Sequence, residues 1–127
     1  MLSTLKARAR ALQEWYQRPN TRELRGQRLL REWLSPGQLA QFDQCKYFDV
    51  TGSFTGKRYR IRFGRELNVF ELDDSGKAVT GWCFVPDDRS LVAGDIMLAQ
   101  KVALETNEPS ALAIARKFSP RGAPNSW

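Results

Sequence analysis

Three arginines alternate with apolar residues in Arg58-Tyr59-Arg60-Ile61-Arg62-Phe63. Side chains on a strand alternate faces, so Arg58, Arg60 and Arg62 line one face at about 7 Å spacing. That spacing resembles the separation of successive phosphates on a nucleic-acid backbone, and a guanidinium suits forked contact with phosphate. Lys57 just before this strand and Arg65 just after it extend the row. A solvated sheet face predicts the same alternation, with Glu71 and Asp73 of the next strand as cross-strand partners. A second basic set lies earlier, in Lys6, Arg8, Arg10, Arg18, Arg22, Arg25, Arg28 and Arg31. Its chemistry is an electrostatic footprint for a polyanion. The residues singled out for phosphate contact are Lys57, Arg58, Arg60, Arg62, Arg65, Arg10, Arg25 and Arg28.

Catalytic chemistry has little to work with. The chain has no His, which removes Ser-His-Asp and Cys-His pairs and imidazole metal ligands. Two cysteines, Cys45 and Cys83, are too few for a structural zinc site, and they read as semi-buried small hydrophobes. Asp73-Asp74 and Asp87-Asp88 sit in turn sequences, where Asp is expected for backbone hydrogen bonding alone. Asp95 and Lys101 form no recognised dyad. Gly64, Gly76 and Gly81 make no phosphate-cradling loop. The expectation is a protein that is not an enzyme and needs no cofactor or metal.

The 127 residues suit one domain, and the net charge of +6 is unevenly spread. Residues 1–34 carry eight Lys/Arg against three Glu, residues 35–90 carry eight of each sign, and residues 91–127 carry four against three. The elements that would position these groups follow from periodicity. Leu2, Leu5, Ala9, Leu12 and Tyr16 recur at helical spacing over 3–17. A second helix spans about 22–34, with Leu24, Leu30, Trp33 and Leu34 as its apolar part and Arg25, Arg28 and Glu32 opposite. Ser35-Pro36 caps a third helix over 36–44. The period then changes to two. Strands are expected at 46–51, 57–63, 67–72 and 79–85, with a hairpin at 73–77 whose Gly76 supplies positive φ. Helical patterning returns over 93–105, and Asn107-Glu108-Pro109 starts a further helix ending near Phe118. The aromatics of the sheet region, Phe54, Tyr59, Phe63, Phe70, Trp82 and Phe84, read as core, with stacking on bases as the alternative. The fold class is α+β: an N-terminal helical pair, a four-stranded antiparallel meander and C-terminal helices. One domain covers 1–118, with 1–34, 46–85 and 93–118 as its parts, and 119–127 is a mobile tail.

Two segments, KRYRIRFGRELNVFELDDSGK and AGDIMLAQKVALETNE, together resemble a group of small uncharacterised bacterial proteins, found especially in alphaproteobacteria and their mobile elements. The shared pattern is an arginine-rich strand, Gly64-Arg65, Asn68-Val69, a Cys83 strand and a helix led by Gly94-Asp95. It spans about 33–118. The resemblance implies a bacterial cytosolic origin and no particular substrate, and it draws attention to Asn68 and Asp95, each equally readable as a turn or cap residue.

The reading that unites these features is a non-enzymatic module for a polyanionic partner, nucleic acid (DNA or RNA) first, through phosphate contacts. The alternative is a small regulator or inhibitor that meets an acidic surface on a larger bacterial or phage protein. A homodimer through the 3–17 helix is compatible with both. No run reaches the roughly 18–20 apolar residues of a membrane span and no apolar block resembles an export signal, so a cytoplasmic, membrane-free protein is expected.

Overall fold

The computed structural model describes residues 4–10, 21–88 and 90–120. Residues 4–10 form a helical segment, α1, exposed throughout; the remainder of the expected 3–17 helix lies outside the described residues. α2 spans Thr21–Trp33 and α3 spans Pro36–Cys45. The start of α3 follows from its sequence. Ser35 Oγ accepts from Gln38 N at 3.2 Å, Gln38 Oε1 accepts from Ser35 N at 3.0 Å, and Pro36 occupies the first turn, where its missing N–H costs nothing.

The sheet is antiparallel, with order β1-β2-β3-β4-β5. Its strands are β1 (Tyr47–Thr51), β2 (Arg58–Arg62), β3 (Val69–Leu72), β4 (Ala78–Cys83) and β5 (Arg116–Phe118). The β3–β4 hairpin closes as its sequence requires: Asp73 Oδ1 accepts from the backbone N–H groups of Ser75 and Lys77, and Gly76 has φ +87°. The fifth strand corrects the expected four. Residues 115–118 are not the end of a helix: α4 runs Ala93–Ile114, Ala115 is extended, and the chain then pairs with β4. The residues fit a helix locally, but pairing with the open edge of β4 outweighs weak propensity.

α4 is kinked at Asn107 (φ −153°, ψ 57°), so its second part starts at Glu108-Pro109, as the sequence indicates. α4 covers one face of the sheet and α2 packs on α4. They meet at glycines: a Cβ on Gly94 would lie 2.3 Å from the carbonyl carbon of Gly26, so neither position has room for a side chain. The core gathers Leu30, Phe42, Phe48, Val50, Tyr59, Ile61, Val69, Met97 and Leu104. Trp33 and Leu24 do not join it; both are exposed on α2 together with Leu29. Gly26 and Leu30 mark the inward stripe instead. Cys45 is exposed, contrary to the semi-buried reading, and Cys83 is partly buried; both are free thiols.

Candidate nucleic-acid interface

β2 places Arg58, Arg60 and Arg62 on the sheet face away from the core, as alternation requires. Register decides what happens to them next. Asp49 of β1 stands opposite Arg60. Arg60 Nε and Nη2 donate to its two carboxylate oxygens at 2.7 and 3.0 Å. The guanidinium also stacks 4.2 Å from the centre of the Tyr47 ring. Arg60 is 8 % exposed and is therefore a structural ion pair. Arg58 is exposed, with its Nε 3.7 Å from the same Asp49. Arg62 is partly buried. Lys57 lies 3.7 Å from Glu71. The expected neutralisation by Glu71 thus reaches Lys57, whereas the carboxylate that holds the arginines is Asp49. The strand pattern offered the signal, since Tyr47, Asp49 and Thr51 share the arginine face, but only the register identifies Asp49 as the partner.

Arg65 sits beyond β2 in an exposed turn, on the rim of a cleft of about 650 Å³ that it shares with Glu66, Asp87 and Asp88. The Asp88 carboxyl is already used locally. It accepts from Ser90 N and Oγ, which hold its pKa below the ordinary carboxylate value. Among the described residues no group of three or more His, Cys, Asp and Glu could hold a metal ion.

The helical set is different. Arg25 and Arg28 are exposed on α2 and make no ion pair with a described residue. Arg22 donates to the carbonyl of Ser90, and Arg31 pairs with Asp43 of α3. Leu29 and Trp33 are exposed beside Arg25 and Arg28, Trp33 at 61 %. Arg10, with Lys6 and Arg8, is exposed on α1. α2 belongs to the helical layer on the core side of the sheet, so Arg25 and Arg28 do not join the β2 arginines in one site.

No protein-family model, no curated protein and no solved structure matches the chain. The site therefore rests on its own geometry.

Two polar residues that sequence reasoning left open or passed over prove structural. Asn68 is 4 % exposed and Gln100 is 2 % exposed. Their amides pair reciprocally at 2.9 and 3.0 Å, Asn68 Nδ2 also donates to the Arg62 carbonyl, and Gln100 Nε2 donates to the Phe84 carbonyl. This pair ties α4 to the turn after β2. Glu108, 1 % exposed, accepts from the backbone N–H groups of Phe54 and Thr55, from Thr55 Oγ1 and from the Tyr59 hydroxyl. Burial opposes its charge, but the Thr55 hydroxyl and N–H, the Tyr59 hydroxyl and the Phe54 N–H outweigh burial and bring the carboxyl down to about 2. Burial and the bond to Glu108 push Tyr59 up in turn. A helix-starting Asn-Glu-Pro was visible in the sequence; the loop that Glu108 captures was not. Asp95 lies in the first turn of α4, where its charge suits the helix dipole. Lys101 pairs with Glu105, one turn along the helix.

Proposed function

We propose that this protein is a non-enzymatic binding module for a polyanionic partner, nucleic acid first, held through phosphate contacts. The observation that carries the reading is the exposed Arg25 and Arg28 of α2, two guanidiniums without an ion pair among the described residues. Two cations one helical turn apart on an outward face repel each other, and a polyanion that meets them relieves that repulsion and releases its own counterions. Arg58 and the exposed cations of α1 add to the field at longer range. Arg60 contributes little to such binding, since Asp49 already neutralises it. Contacts of this kind give weak sequence preference and strong salt dependence.

The test is binding to short fluorescent duplex DNA, single-stranded DNA and RNA across a salt series. The expected slope of log K against log salt is roughly −2 to −4. Arg25→Ala with Arg28→Ala should lower affinity on every sequence and flatten that slope by about 2. An unchanged slope in the folded double variant overturns the assignment of α2.

A second reading has its own observation. Leu29 and Trp33, exposed next to Arg25 and Arg28, have the composition of a protein-binding surface, where Trp and Arg carry much of the energy. The partner would then be an acidic protein surface, as for a small regulator or inhibitor of a larger bacterial or phage protein. Trp33→Ala separates the two: a loss of protein binding that persists at high salt favours this second reading.

A further inference from the structure

Three aromatic side chains are exposed among the described residues: Trp33 on α2, and Phe54 and Phe63 on either side of β2. The exposure of the two phenylalanines corrects their core reading. Both stand outside the paired residues of β1 and β2. Their charged neighbours in sequence are engaged. Lys57 and Arg58, just after the Phe54 turn, each lie 3.7 Å from a carboxylate, Glu71 and Asp49 respectively. Phe63 follows the partly buried Arg62. Trp33 differs, because it shares α2 with Arg25 and Arg28, which are exposed and make no ion pair with a described residue.

Residues four apart stand one above another on a helix, so Arg25, Leu29 and Trp33 form a ridge, with Arg28 and Glu32 running beside it. All five are exposed, while Gly26 and Leu30 are the buried residues of α2. Arg28 and Trp33 are five residues apart, about 7.5 Å along the axis, comparable to one backbone step of an extended oligonucleotide. The two ends of the ridge suit different groups. Arg25 and Arg28 suit phosphate. At the other end Glu32 and the negative end of the helix dipole repel an anion, and Arg31 is already paired with Asp43. Trp33, the last residue of α2, offers a neutral flat surface there. A neutral planar group carried one step from a phosphate is a nucleobase. In a duplex both faces of a base are covered by its neighbours in the stack, so an indole can take only an unpaired base.

We propose, on the basis of the polyanion reading and as a sharper form of it, that α2 takes single-stranded nucleic acid, with phosphates on Arg25 and Arg28 and an unpaired base stacked on Trp33. Leu29 fills the space between them, and Glu32 keeps a second phosphate away from the indole. Affinity then has two separable parts, a salt-dependent one from the arginines and a salt-independent one from the stack.

The experiment compares the full chain on three fluorescent probes: a short thymidine oligonucleotide, an abasic one with the same number of phosphates, and the thymidine oligonucleotide in duplex. Wild type should bind the thymidine oligonucleotide about tenfold more tightly than the abasic one, the value of roughly one stacked base. Trp33→Ala should bring the two to equal affinity without changing the salt slope, and should leave duplex binding as it was. Trp33→Phe, which keeps an aromatic face, should retain most of the preference. Arg25→Ala with Arg28→Ala should weaken both oligonucleotides and preserve their ratio. Equal binding of the thymidine and abasic probes by wild type overturns the stack and leaves the polyanion reading standing, and this comparison needs no variant to fold. A preference that survives Trp33→Ala overturns the assignment to Trp33. Absence of binding to all three probes at low salt overturns the polyanion reading itself and leaves Trp33 to an acidic protein partner.

Discussion

Neighbouring residues of β2 deliver their side chains to two carboxylates on opposite faces of the sheet, and the two are held by different means. On the core face, Tyr59 donates to Glu108, which also takes two backbone N–H groups and a threonine hydroxyl. No cation is among these partners. On the outer face, Arg60 grips Asp49 with two bonds, and Arg58 stands behind it. Neutral donors around Glu108 fix chain geometry: they pin the 52–56 loop to the kink of α4. Cations around Asp49 consume charge, and so decide how much of the basic excess is left for a partner. A carboxylate of the first kind belongs to stability, and one of the second kind to both stability and the surface field.

The sharpest way to break this contrast is Glu108→Ala. It strands several buried donors at once, and the expected cost is about 4 kcal/mol, with a fall in melting temperature of roughly 10 °C or more. A change under about 1 kcal/mol in urea unfolding would show that the loop is held by other means. Acid should act on the same carboxyl. Its folded pKa of about 2 lies below the ordinary 4.5. Its contribution is therefore fully present above pH 4.5 and is lost as pH falls towards 2, a span worth roughly 3 kcal/mol. Urea midpoints across that range should fall more steeply for wild type than for Glu108→Gln; parallel profiles would contradict the assignment.

Asp49→Asn probes the other side. Breaking the paired charge should cost about 2 kcal/mol, less than Glu108→Ala because the pair is partly solvated. The same change adds one positive charge to the outer face. If that face is open to polyanions, affinity for duplex DNA at low salt rises; with α2 as the binding surface it stays nearly constant. The smallest effect on stability belongs to Arg25→Ala with Arg28→Ala. Exposed groups without an ion pair among the described residues should change the unfolding free energy by no more than about 0.5 kcal/mol.

Short-range chemistry was readable before the structure. Ser35-Pro36 capped α3, Asp73 and Gly76 made the hairpin, and the alternation over β2 put three arginines on one face. Each depends on residues within a few positions of one another. What stayed hidden depends on residues far apart. Asp49 could be matched to Arg60 only through a register that the 52–57 connection sets, with Gly52 N donating to Lys57 O. α2 and the residue that follows it carry apolar residues at 24, 29, 30, 33 and 34, too widely spread for periodicity to select the buried stripe; contact with Gly94 through Gly26 selects it. The strand at 116–118 exists because β4 has an edge to offer, which no local propensity reports. For the candidate site, sequence located the cations, whereas the pairing that separates structural from available cations was a tertiary fact.

The two side-chain amides that α3 turns towards β1 have a consequence for how this sheet behaves among other chains. Gln38 Nε2 donates to the Asp49 carbonyl at 2.9 Å, and Gln41 Oε1 accepts from the Asp49 N–H at 2.8 Å. They occupy the outward backbone groups at the middle of an edge strand, where an invading strand would have to bond. At the far edge, β5 has three residues and Pro120 follows closely, a position with no N–H to offer. Both borders are thus blunted against edge-to-edge growth, one by borrowed glutamines and the other by brevity and proline. Replacing Gln38 and Gln41 would uncover a ready template for intermolecular β-pairing, and the cost would appear as aggregation before it appeared as unfolding.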